Sequence, residues 1–178
     1  PLDFIKMVDK WKVTGVFMVP PMYYAILYLK EVESYSLDSL RWANVFGAPS
    51  SYDLMMRFQK LCPNAVILNG WGMTEIIPPI SASSPDNIRS VGKPVPNVEL
   101  KIFDSKGNEM PQGEIGELVA RGKSGFCGYY NEPELNMEAF KNGWCYTGDL
   151  GRFDEHGNLY IIGKSKDTIK VGGELVWA

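Results

Sequence analysis

Three short apolar runs alternate with three stretches of helical period in the first seventy residues, and this alternation limits the fold more than any other feature. Leu2, Phe4, Ile5, Val8 and Trp11 recur at helical spacing. Gly15-Val16-Phe17-Met18-Val19 is a short run of the buried-strand kind. Pro20-Pro21 opens a second helical pattern through Tyr24, Ile26, Leu27 and Leu29, because proline is tolerated in a first helical turn. Ala43-Asn44-Val45-Phe46 reads as the next strand and ends at Gly47-Ala48-Pro49. Ser50 or Ser51 can cap a helix from about Tyr52 to Leu61, and Ala65-Val66-Ile67-Leu68 is the third strand. A strand–helix–strand rhythm predicts a parallel sheet with helices packed on it.

The pattern then changes. Residues 1–75 hold four glycines and residues 76–178 hold fourteen. From about Ser90 the sequence reads as all-β. Val98, Leu100 and Ile102 alternate with Glu99, Lys101 and Phe103, and the runs from Glu117 to Arg121 and from Leu159 to Ile162 are similar. Ser105-Lys106-Gly107-Asn108 and Glu155-His156-Gly157-Asn158 have hairpin-turn chemistry. The predicted fold class is α/β followed by a β-rich subdomain, a compact sheet or small barrel.

Composition removes several function classes. The chain has 178 residues, is 45% hydrophobic and 22% charged, and so is not disordered. A net charge of −3 argues against a general electrostatic grip on nucleic acid. No apolar run approaches the ~20 residues of a membrane span. Cys62, Cys127 and Cys145 are odd in number, far apart and without a CxxC, which suits a reducing, cytoplasmic setting better than a disulfide framework or a structural zinc site, and Cys127 and Cys145 read as small core residues. His156 is the single histidine, so chemistry needing two is excluded within this chain; its place in a turn suits a solvated side chain.

Three phosphate-binding patterns fail. Gly116 to Gly122-Lys123-Ser124 and Gly157 to Gly163-Lys164-Ser165 each put five residues between the glycines where a P-loop needs four. Gly70-Trp71-Gly72 opens like a dinucleotide fingerprint but has Glu75 at the third glycine.

Three stretches carry chemistry. In Asn69-Gly70-Trp71-Gly72-Met73-Thr74-Glu75, two glycines permit close backbone approach, Trp71 offers a stacking face, Thr74 a hydroxyl and Glu75 a carboxylate suited to Mg²⁺. The stretch is expected just after a strand, where open α/β sheets place ligands. In Tyr146-Thr147-Gly148-Asp149-Leu150, an aspartate after a tight Thr-Gly turn can accept both hydroxyls of a ribose. The third, Gly163 to Gly173, is a charged connector bounded by glycines.

These motifs, in this order, resemble the adenylate-forming superfamily of acyl-CoA synthetases, luciferases and peptide-synthetase adenylation domains. The resemblance also rests on Gly47-Ala48-Pro49, Ser90-Val91-Gly92-Lys93-Pro94, Gly113 to Leu118, Gly128-Tyr129-Tyr130-Asn131 and Gly143-Trp144. It implies a two-step reaction: a carboxylic acid and ATP give an acyl-adenylate and pyrophosphate, and the thiol of coenzyme A then displaces AMP. It implies that Gly47, Ala48 and Pro49 form one wall of the adenine slot and Trp71, where many relatives have Tyr, the other, with Gly70, Gly72 and Met73 beside it. Thr74 is implied at the α-phosphate, Glu75 at Mg²⁺, and Asp149 at the ribose. Lys164 stands where the family has an Arg, and a point charge replaces a planar fork. Lys166 matches the hinge of the small lobe, and Gly172-Gly173 a loop near the thiol tunnel.

The resemblance also implies divisions at 1–80 (α/β part of the large lobe), 81–163 (β-rich subdomain) and 164–178 (hinge and start of the C-terminal lobe). The family's phosphate loop and C-terminal lysine would lie outside Pro1–Ala178, so the chain is expected to be a piece of a longer enzyme and, alone, to form negligible thioester. Plainer readings stand beside these. Trp71 suits a core, Thr74-Glu75 suits a helix start, Asp149 suits a turn, the lysines of the connector suit a solvated loop, and Pro20 to Tyr24 and Ile76 to Pro79 suit packing as well as an acyl pocket. An amino-acid adenylation domain, a luciferase-type oxidation and a non-catalytic AMP-binding module are the rival functions.

Overall fold

The computed structural model describes residues 1–171 and 174–177, with side chains described for 1–76 and 81–166. The chain divides into two compact units, residues 1–70 with 83–89 and residues 71–82 with 90–178.

The first unit alternates helices and strands: α1 (Leu2–Trp11), β1 (Gly15–Met18), α2 (Pro20–Leu27), β2 (Trp42–Val45), α3 (Tyr52–Leu61) and the start of β3 (Val66–Met73). The strands pair in parallel, Gly15 opposite Trp42 and Trp42 opposite Val66. Each helix contributes the apolar positions that its periodicity marks. Ile5 and Val8 of α1, Tyr23 and Ile26 of α2, and Leu54, Met55 and Phe58 of α3 are buried with Ala43, Val45 and Ile67 of the strands. Tyr23 meets Phe58 edge to face at 4.6 Å. Of the two candidate caps, Ser51 is the one used: its hydroxyl accepts from the Leu54 amide at 3.1 Å. The returning segment 83–89 is tied to β3 at Asn69, whose carbonyl accepts from the Ser83 amide and whose amide donates to the Ser83 hydroxyl, both at 2.8 Å.

The second unit contains β4 (Ile76–Ala82), β5 (Lys93–Pro94), β6 (Val98–Phe103), β7 (Gly116–Gly122), α4 (Pro133–Ala139), β8 (Phe140–Lys141), β9 (Trp144–Phe153), β10 (Leu159–Lys164), β11 (Thr168–Val171) and β12 (Glu174–Trp177). Its main sheet is antiparallel in the order β10-β9-β7-β6, with β8 also on β9; β4 pairs with β5, and β11 with β12. The period-two alternation sorts its faces. Leu100, Ile102, Leu118, Ala120 and Cys145 join one core with Ile76, Val91 and Leu159. Phe103, Val119 and Trp144 form a second cluster, where Arg121 lies 4.4 Å from the Trp144 ring. Both expected hairpin turns are present. Asp104 accepts from the amides of Lys106 and Asn108, and Asp154 from those of His156 and Asn158, so each turn is closed by the aspartate that precedes it. His156 is exposed, as its turn position predicts.

Two expectations need correction. The all-β reading misses α4, a seven-residue helix with proline in its first turn; its sequence PELNMEA has no apolar stripe, and no residue of it is buried. Cys127 is exposed and does not serve the core, whereas Cys62 and Cys145 do.

Close packing makes one strand position sensitive. A methyl group added at Gly15 would stand 2.1 Å from the Trp42 ring, its cross-strand partner. Gly15→Ala is therefore expected to cost about 1–3 kcal/mol of stability, checked by urea denaturation.

Candidate functional site

Asp149 lies on an interrupted strand. In the β7–β9 ladder Glu117 faces Leu150 and Val119 faces Tyr146, so Leu118 alone opposes Thr147, Gly148 and Asp149. The three residues form a bulge in β9, where the sequence suggests a tight turn; bulges re-aim side chains. Gly148 supplies the required left-handed backbone, with φ of 68°. Thr147 secures the distortion. Its hydroxyl donates to the Leu118 carbonyl at 2.7 Å and accepts from the Asp149 amide at 3.1 Å. The Gly148 amide donates to Glu117 Oε1 at 3.3 Å. A second irregularity, between Ile161 and Gly163 of β10, brings Lys164 opposite Asp149.

The Asp149 side chain is only 10% exposed and is held at both oxygens. Trp71 Nε1 donates to Oδ2 at 3.0 Å across 78 positions of sequence, and Lys164 Nζ lies 2.6 Å from Oδ1. Each oxygen therefore keeps acceptor capacity, enough for one donor apiece. Trp71 is half-buried, with Met73, against the main core of the second unit. Trp71 thus packs against the core while its ring nitrogen donates to the carboxylate.

The signature stretch is not a loop after a strand. β3 continues through Gly70, Trp71, Gly72 and Met73, and the turn is Thr74-Glu75, leading into β4. A helix start at this point is excluded by that strand–turn–strand path. Thr74 is exposed at the turn. Glu75 has a partner the sequence did not disclose: the Tyr129 hydroxyl donates to its Oε1 at 2.5 Å. The Phe126 amide also donates to the Glu75 carbonyl at 2.9 Å. Tyr129 is itself clipped to α4. Its amide donates to Asn136 Oδ1 at 2.7 Å, and Asn136 Nδ2 donates to its carbonyl at 2.8 Å. A glycine is needed next to it, because Gly128 has φ of 127° and a Cβ there would come within 2.8 Å of Asn136.

The remaining candidates are placed as follows. Gly47, Ala48 and Pro49 are exposed beyond β2 in the first unit, with Gly47 at φ of 82°. Lys166 is exposed in a single 3-10 turn, Ser165–Asp167. Gly172 and Gly173, and the side chains of Ile77 to Pro79, lie outside the described residues; Ile76 is buried in the core. A groove of about 480 Å³ in the first unit, bordered by Met56, Lys60, Val66 and Pro85, contains none of the candidate residues. It is mainly apolar and offers no carboxylate, so the polar constellation of the second unit is the better candidate for chemistry.

The donor set fits the groups the resemblance implies. Among the described residues no three His, Cys, Asp or Glu side chains gather to hold a metal ion. Glu75 alone is the pattern of Mg²⁺, which takes one or two carboxylates and completes its shell with water and phosphate oxygens. Asp149, with one acceptor site left on each oxygen, fits a vicinal diol.

Comparison with known proteins gives the family. The family model described as AMP-binding enzyme matches residues 1–130. 4-Coumarate–CoA ligase 2 of Nicotiana tabacum is 36% identical over 181 residues, covering 97% of this chain and 33% of the relative. A long-chain-fatty-acid–CoA ligase of Escherichia coli is 35% identical over 172 residues, covering 95% and 30%. The solved O-succinylbenzoate coenzyme A synthetase of Bacillus subtilis, in complex with ATP and magnesium ion, superposes with a TM-score of 0.86 at 28% identity, over 99% of this chain and 37% of that one. The chain belongs to the AMP-binding enzyme family, and its α/β and β-rich parts match the large N-terminal lobe of adenylate-forming enzymes. It spans about a third of the length of the curated relatives it matches.

The Glu75 contact has a titration signature. The hydrogen bond to Glu75, with burial and the nearby charge adding to it, pushes the Tyr129 phenol up to about 12. A raised folded-state value means that the bond stabilises fully below the ordinary phenol value of about 10. That contribution is lost as pH rises through about 12. In an alkaline titration followed by tyrosinate absorbance, Glu75→Gln should return one tyrosine to the ordinary range, and Tyr129→Phe should remove that late-ionising group.

Proposed function

We propose that the protein carrying this segment is an ATP-dependent acid–thiol ligase that joins a carboxylic acid to AMP and passes the acyl group to coenzyme A. The observation that carries the reading is the convergence of Trp71 and Lys164 on the two oxygens of Asp149, each of which keeps room for one further donor. Family membership supplies the reaction class, and the named activities of the tobacco and bacterial relatives support coenzyme A as acceptor.

In this reading the residues divide the work. Asp149 accepts the ribose hydroxyls, and the exposed side of Trp71 faces the adenine. Thr74, on the turn, offers its hydroxyl to the α-phosphate. Glu75, oriented by Tyr129, supplies the carboxylate for Mg²⁺, whose chemistry when bound is to neutralise charge building on phosphate oxygens. Lys164 keeps positive charge beside the ribose, and Lys166 belongs to the hinge between lobes.

The test is ATP–pyrophosphate exchange by the full-length protein with aliphatic and aryl carboxylic acids, followed by thioester formation with coenzyme A. Exchange and thioester with at least one such acid are expected. Exchange only with amino acids would favour an amino-acid adenylation domain, and AMP binding without exchange a non-catalytic module. Asp149→Ala should weaken ATP binding roughly 10- to 100-fold, the worth of charge-assisted hydrogen bonds; calorimetry checks it.

A further inference from the structure

We infer that the Trp71 indole N–H is a positioning group for the Asp149 carboxylate, so that residue 71 helps set the preference for a ribose over a deoxyribose nucleotide. The inference rests on the reading of Asp149 as the ribose acceptor, and it assigns Trp71 a role that a stacking ring alone would not have.

A carboxylate turns about its last torsion in a broad, two-fold well, so its lone pairs have no fixed direction unless a donor holds them. Asp149 has two such donors, and they differ in kind. Lys164 presents an ammonium with three rotatable N–H groups on a flexible stem, and its side chain is 58% exposed; it fixes charge more than direction. Trp71 is a rigid ring, half-buried against the core cluster to which Leu118 and Leu159 belong, with one N–H in one direction at 3.0 Å from Oδ2. The main chain of Asp149 is separately held by the Thr147 hydroxyl at 3.1 Å. With the backbone fixed by the bulge and the carboxylate plane fixed by the indole, each oxygen keeps one acceptor site beyond its Trp71 or Lys164 donor. A Phe ring at this position keeps a flat face and loses the N–H, and with it the constraint on Asp149.

The experiment uses full-length protein and calorimetric binding of ATP and 2′-deoxyATP. The wild type should prefer ATP, and Trp71→Phe should lower the ratio of the two affinities about tenfold, the worth of one well-placed hydrogen bond. A stacking or structural role would weaken both nucleotides alike and leave the ratio unchanged, which would overturn the inference. Asp149→Ala separates this from the underlying reading. If it abolishes the ratio while Trp71→Phe does not, only the role of the indole N–H fails. If Asp149→Ala leaves the ratio intact, the ribose reading fails and the inference with it. Should Trp71→Phe not fold, replacing the indole by the isosteric benzothiophene amino acid removes the N–H without changing ring size, with the same expected fall in the ratio and the same contrary result.

Discussion

A nearly buried carboxylate sets the terms for the second unit. Removing Asp149 from water is costly unless its charge is met by donors. The fold meets it with an indole N–H and an ammonium on separate oxygens, and with a hydroxyl on the backbone. The bulge at Thr147-Gly148-Asp149, the positive φ at Gly148 and the register shift in β10 are the structural means of bringing them together. The surrounding antiparallel sheet, with its core of Leu118, Ala120, Cys145 and Leu159, makes the distortion reproducible by packing both flanks of β9.

The Glu75 arrangement follows the same logic with different parts. A turn between two strands would leave a glutamate free to swing. Here Tyr129 restrains it, Asn136 restrains Tyr129, and Gly128 makes room for Asn136. The short helix α4, which buries none of its own residues, thus has a use: it anchors the loop that orients Glu75. Burial pushes the nearby Cys145 thiol up to about 11, with the Glu75 charge adding to it, so this cysteine is a packing residue and a poor nucleophile.

Much of the fold was legible because it is written in local periodicity. The helices α1 and α3, the parallel strands, the Ser51 cap and both aspartate-closed turns follow from spacing and turn chemistry. Trp71, Glu75 and Asp149 were legible as site candidates only through motif order. Their partnerships were not, because Trp71 and Asp149 are 78 positions apart, and Tyr129 and Glu75 are 54 apart. The bulge was hidden for a related reason. A Thr-Gly-Asp triplet suits a turn and a distorted strand equally, and the ladder on both sides decides between them. α4 was missed because an exposed helix has no apolar stripe, and Tyr129 because only a family motif, with no chemical pattern, drew attention to it.

Every role proposed here depends on Asp149 as the place where a nucleoside sugar binds. A crystal structure of the full-length protein with AMP tests this most directly. Both ribose hydroxyls are expected to be hydrogen-bonded to the Asp149 carboxylate, with the Trp71 N–H still on Oδ2. AMP bound with its ribose away from Asp149, or an Asp149 carboxylate that has left Trp71 to accommodate it, would contradict the account.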